Sequence, residues 1–111
     1  MTGKTYRIGI VGERSYQDAI RGCAQGDLVN VQREPDNPYD DQALAVVRTD
    51  GRVIGYIPRD SFLQKAVHKE GQGCIAEIAS IRVGGEAMRG VVIEVELVDT
   101  PLSERSFVPA R

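Results

Sequence analysis

The segment at residues 34–41, Glu-Pro-Asp-Asn-Pro-Tyr-Asp-Asp, constrains the fold more than any other stretch of the chain. Pro35 and Pro38 lack amide donors, and each drives the residue before it out of the helical region. Neither a helix nor a central strand can pass through. Asp and Asn in the same stretch favour turns closed by their own side chains. The flanks are β-like. Residues 28–33 alternate, with Val29 and Val31 on one face and Asn30 and Gln32 on the other. Residues 43–47 read as the next strand, Asp50-Gly51 is a strong hairpin signal, and residues 52–57 form the return strand.

Residues 6–11 read as an earlier strand. Ser15 opens Ser-Tyr-Gln-Asp, an N-cap serine with an acid three positions on, which predicts a short helix ending near Gly22. Pro58-Arg59-Asp60-Ser61 starts a second helix, with Phe62, Leu63, Ala66 and Val67 on one face and Gly71 at its end. Residues 74–83 and 90–98 are two longer strands. In the last, Val91, Ile93, Val95 and Leu97 alternate with Glu94 and Glu96, so its register is well specified. The sum is a mostly β fold of about six short strands and two short helices. A closed or partly closed antiparallel barrel hides the edges of so small a sheet. A single domain is expected over residues 1–100, with 101–111 a loosely held C-terminal tail.

A chain of 111 residues supports one core. With four Tyr, two Phe and no Trp, that core must be Val, Ile, Leu and Ala, and a tyrosine on a loop stands out. No apolar run approaches the ~18 residues that span a bilayer, and the first residues do not form a secretory signal. No membrane association and a cytoplasmic location are the expectations. Cys23 and Cys74 lie among apolar neighbours and read as two buried thiols, not a bridge.

Motifs for catalysis are absent from the sequence. His68 is the sole histidine, expected to be solvated on the polar side of the second helix. Two Cys and one His cannot close a four-ligand zinc site. Arg-Ile-Gly-Ile-Val-Gly near the start lacks the third glycine of a dinucleotide turn, and Gly84-Gly85 leads into no P-loop. The chain is therefore expected not to be an enzyme and to carry no cofactor or metal. A net charge of −2 argues against sequence-blind adhesion to a nucleic-acid backbone. Eleven of the fourteen basic residues are nevertheless Arg, the side chain suited to forked contact with phosphate. A local site remains open.

One constellation points to such a site. The two-proline loop fixes Tyr39 at the mouth of the hairpin, and Gly55-Tyr56-Ile57-Pro58-Arg59 presents Tyr56 and Arg59 at the end of the return strand. A tyrosine on a stiff loop beside an arginine can stack a base and clamp a phosphate, the division of labour for single-stranded nucleic acid. Packing explains a Tyr after Pro equally well, and Tyr56 within a strand fits a core position better than a site. Arg59, just before a helix N-terminus, sits where the helix dipole disfavours a cation, which favours a functional reason for it.

At these residues the sequence resembles the HIRAN domain family. Arg-Glu-Pro-x-Asn-Pro-Tyr-Asp, the apolar hairpin and Gly-Tyr-Ile-Pro-Arg look like its signature, and the likeness runs from about Gly12 to Leu97. It implies an OB-like six-stranded antiparallel β-barrel of the kind fused to Swi/Snf-type DNA translocases and also found alone in bacteria. It further implies binding of single-stranded DNA or a 3′-hydroxyl DNA end, in a DNA repair or replication-fork context, with DNA-repair or helicase proteins as partners. By the same resemblance Arg14 and Arg59 contact phosphate, Tyr39 packs on the terminal nucleotide, Asp40 accepts from the 3′-hydroxyl, and Tyr56 is a nearby polar ring. Ser15 stands where DNA-binding members can carry an aromatic, which leaves base stacking to Tyr16 or removes it. Asp40 has two readings, acceptor for a free 3′ end or closer of an Asx-turn. The function has two as well: a DNA-binding module, or a protein-interaction or scaffold domain that kept the fold alone.

Overall fold

Alternating sequence becomes paired sheet most directly in the long hairpin of β5 (Gly73–Val83) and β6 (Arg89–Val98). Ala76, Ile78, Val91, Ile93 and Val95 all turn inward and are buried. The computed structural model describes residues 4–109. Among them, four further strands, β1 (Thr5–Gly9), β2 (Leu28–Glu34), β3 (Ala43–Arg48) and β4 (Val53–Tyr56), extend the same antiparallel sheet. Its order is β1-β6-β5-β2-β3-β4, and it curls into a half-barrel. Two short helices, α1 (Gln17–Arg21) and α2 (Phe62–His68), complete the fold.

The main core lies inside the curl. Ile20, Leu44, Ile54, Leu63, Ile78 and Ile93 are fully buried there, each side chain contributing roughly 1.5–3 kcal/mol by leaving water. A second, smaller cluster of Ala45, Val47 and Val53 sits on the other face of β3 and β4, with Tyr16 and Tyr56 packed on it. Burial on both faces explains why residues 43–47 are continuously apolar.

The two edges of the sheet meet at one point. Just past β1, Val11 exchanges two backbone hydrogen bonds of 2.8 Å with Tyr56 at the end of β4. Gly55 permits this approach: a Cβ there would lie 2.8 Å from the Val11 carbonyl oxygen and from Ile10 Cδ1. The junction brings the segment after β1 to the end of the hairpin, and the site is built beside it.

Several expectations are corrected. Ser15 does not cap the first helix. Once Val11 is tied to β4 the chain must turn at once, so Gly12 adopts a left-handed φ of 75° and opens a 3₁₀ turn over Glu13–Tyr16, with α1 following. The second helix is capped by Ser61, whose Oγ accepts from the Leu63 amide at 3.2 Å. Its Phe62 is exposed and stacks at a tilt on Tyr6, 4.7 Å away, instead of entering the core. His68 is half-buried, with Nε2 2.9 Å from the Gln42 carbonyl, and is not merely solvated. Both cysteines are free and half-buried; burial pushes both thiols up, Cys74 to about 11.

The C-terminal segment, expected as a tail over residues 101–111, runs along β2 as a strap over residues 101–109. β5 pairs with only Leu28 and Val29 of β2 before diverging. The tail takes the vacated edge: the Arg33 amide donates to the Ser103 carbonyl and the Arg105 amide to the Arg33 carbonyl, each at 2.9 Å. Leu102 is buried in the main core. Residues 110 and 111, the end of the expected tail, lie outside the described residues.

Candidate functional site

The outer face of the hairpin carries a groove of about 420 Å³. Loop 34–41 and the strap, joined to each other by the Phe107 amide on Asp36, both contribute to its lining, and Tyr16, Ala43 and Tyr56 are among its other residues. Tyr39, Asp40 and Arg59, which sequence alone singled out, all line it.

Tyr39 is held by its main chain, and its ring touches the Phe107 ring edge-on while staying largely exposed. Its amide donates to Asn37 Oδ1 at 2.9 Å, and its carbonyl accepts from Arg59 Nη2 at 3.2 Å. The residue is 80% exposed, an unusual state for an aromatic in a chain with so few. Asp40 shows the Asx-turn geometry: Oδ1 accepts from the Gln42 amide at 3.0 Å. Its other oxygen, Oδ2, lies 3.4 Å from Arg59 Nε. The Arg59 side chain is 75% exposed, and these two contacts leave the rest of its five donors for a ligand.

Beneath the groove lies a group that sequence reading passed over. Glu34 is fully buried, a carboxylate with no access to water. Tyr56 donates its hydroxyl to Oε1 at 2.7 Å, Asn37 Nδ2 donates to the same oxygen at 3.0 Å, and Arg105 pairs with Oε2. Burial, then the Glu34 contact, pushes the Tyr56 phenol well above its ordinary value, so the ring stays neutral. A buried carboxylate survives only when its charge and lone pairs are met, and Glu34 has all three partners. It thereby ties the floor (Tyr56), the loop (Asn37, and through it Tyr39) and the strap (Arg105) into one network.

Tyr16 sits tilted against Tyr56, ring centroids 6.2 Å apart. Its position is set by Gln17, whose amide donates to the Arg89 carbonyl at 3.0 Å and accepts from the Arg89 amide at 2.9 Å. Arg48 adds a second tie by donating to the Ala19 carbonyl at 2.9 Å. Arg14 does not join Tyr39, Asp40 and Arg59. It lines a neighbouring groove with Arg52 and Arg105, which shares Ser15, Tyr16 and Pro109 with the first.

The model of the HIRAN domain matches residues 4–85, most of the chain. The chain belongs to the HIRAN domain family. Over 84% of its length the HIRAN fold superposes on the HIRAN domain of human HLTF, covering 74% of that chain with a TM-score of 0.64 and 20% identity. A protein from Lactobacillus plantarum matches over 84% of this chain and 99% of its own, with a TM-score of 0.55 and 24% identity. In sequence, 56 residues are 38% identical to the helicase-like transcription factor of Mus musculus and 36% identical to that of Oryctolagus cuniculus. Those matches cover 50% of this chain and 5% of each relative's length. Likeness at this identity establishes the HIRAN fold.

Sequence reading missed Glu34, which lies beneath the groove, and Phe107, which lines it. Glu34 carried one signal. It shares its strand face with Asn30 and Gln32 yet sits opposite Ala43, beside the all-apolar run of β3. Phe107 carried none, since its place depends on Arg105 finding a carboxylate 71 residues away.

Proposed function

We propose that this groove binds single-stranded DNA at a 3′-hydroxyl end, as a recognition module and not as an enzyme. Tyr39 carries the reading: its main chain is gripped from both sides by Asn37 and Arg59 while its ring stands exposed beside a guanidinium. A ring carried on an anchored main chain offers a base a stacking face with little backbone ordering left to do, and stacking is worth ~1–3 kcal/mol per base. Arg59 supplies charge for the adjoining phosphate. Asp40, with a quarter of its side chain exposed, accepts from a 3′-hydroxyl and repels a 3′-phosphate. Arg14 and Arg52 in the neighbouring groove suit phosphates further along the strand. The name of the mammalian relatives, helicase-like transcription factor, agrees with a nucleic-acid partner. The corresponding setting is DNA repair or a replication fork, alongside helicase proteins.

The overall charge of −2 favours a second reading, a protein-interaction domain. Fluorescence anisotropy separates the two. Matched short strands ending in 3′-hydroxyl or 3′-phosphate are titrated with the wild-type chain at low salt. Preferential binding of the 3′-hydroxyl strand, weakening as salt rises, is the expected result. Negligible binding of both strands favours the second reading.

A further inference from the structure

We propose that the strap, which lies outside the residues matched by the HIRAN domain model, is a wall of the binding groove, and that Phe107 is a ligand-contacting residue acting with Tyr39. The inference rests on the reading of the groove as a site for single-stranded DNA.

Four observations carry it. Phe107 and Pro109 both line the groove, whereas the family match stops at residue 85. The Phe107 ring stands edge-on to Tyr39, centroids 6.1 Å apart at 70°. Two rings so crossed leave one face of each for flat partners, as offset and edge arrangements do in aromatic clusters. The strap is also firmly seated. Arg105 pairs with fully buried Glu34, Arg33 pairs with Glu104 at 2.9 Å, and the Phe107 amide donates to Asp36 Oδ1 at 3.0 Å. That last bond ties the strap to the two-proline loop, so wall and loop are positioned together.

The groove keeps about 420 Å³ with the strap in place, within the roughly 300–1,000 Å³ of small-ligand sites. The strap therefore narrows the groove without filling it. A plug would occupy that space and would be weakly held, since it must leave; a segment anchored on a buried ion pair is built to stay. Phe107 offers a nucleobase a second apolar face and makes the site more selective for an unpaired, splayed base than Tyr39 alone.

The absence of Trp from the chain gives a clean test. Wild type, Phe107→Ala and Phe107→Trp are titrated with a short fluorescein-labelled oligodeoxythymidylate bearing a free 3′-hydroxyl. An unlabelled strand is used to read tryptophan emission, and Phe62→Trp, exposed and outside the groove, is the control. Expected results are a loss of affinity of about 5- to 150-fold for Phe107→Ala, near wild-type affinity for Phe107→Trp, and quenching at position 107 but not at position 62. Unchanged affinity of Phe107→Ala with no quenching at position 107 overturns the inference while the DNA reading stands. Tighter binding by Phe107→Ala overturns it too, by making the strap a plug. Failure of the wild type to bind removes both readings together. Should Phe107→Ala unfold, quenching of the Phe107→Trp chain decides alone.

Discussion

The two sides of the groove are built by different means. Loop 34–41 is held by contacts a few residues apart: Asn37 on the Tyr39 amide, Asp40 on the Gln42 amide, and the Asn37 amide on the Glu34 carbonyl. The strap beside it depends on partners about 70 residues distant, above all Arg105 on Glu34. Local turns form wherever the sequence is right, whereas the strap forms only on a finished sheet. Much of the loop's order comes from its own neighbours; that of the strap comes from Leu102 in the core, two main-chain bonds to Arg33 and the Arg105–Glu34 pair.

Arg105→Met should break the comparison most sharply. It leaves Glu34 buried without its countercharge, a change that typically costs about 3–5 kcal/mol. Denaturant unfolding should show that loss, and it should fall on the strap while the loop's local bonds persist. Tyr39→Ala acts on the other side. It should weaken single-strand binding by ~1–3 kcal/mol and leave stability within about 0.5 kcal/mol, because the ring is exposed.

Tyr56→Phe probes the floor shared by both sides. Losing the hydroxyl donor to Glu34 should cost about 1.5 kcal/mol, with Asn37 and Arg105 still in place. It also changes the alkaline limb. A phenol whose folded value is raised is favoured in its neutral form, so its contribution is full below the unfolded value of 10.0 and is lost as pH climbs beyond it. Cys74 adds a similar loss between its ordinary 9.0 and about 11. Stability of the wild type followed by circular dichroism should therefore fall above pH 9, and more gently in Tyr56→Phe. The smallest effect belongs to Asp40→Asn. The Asx-turn acceptor survives and only an exposed ion pair to Arg59 is lost, so stability should move by less than about 0.5 kcal/mol. Preference for a 3′-hydroxyl over a 3′-phosphate should nonetheless shrink, which anisotropy would register.

Where order is local, the sequence was readable. Period-2 patterning located β5 and β6 to within a residue, and Asp50-Gly51 marked the hairpin, because strands and turns impose their demands on neighbours. The loop residues Tyr39 and Asp40 and the flanking Arg59 stood out for the same reason. Ser15 misled because a cap signal says nothing of the Val11–Tyr56 closure, which forces the turn at Gly12 first. Glu34 was hidden by the ordinary expectation that a glutamate faces water. The strap was invisible: residues 101–109 have no periodicity, and an ion pair with a distant, buried partner leaves no trace in local pattern. Arg14 shows the complementary limit, since sequence proximity to the site does not tell which of two adjoining grooves a side chain lines.

The central claim is that loop and strap bind one ligand between them. An amide chemical-shift titration of the wild-type chain with a short 3′-hydroxyl single strand tests it most directly. Saturable shifts at Tyr39, Asp40 and Arg59 together with Phe107, on one binding curve, are the predicted result. Shifts confined to the exposed residues Leu28 and Ile75, which do not line the groove, or none at all, would contradict it.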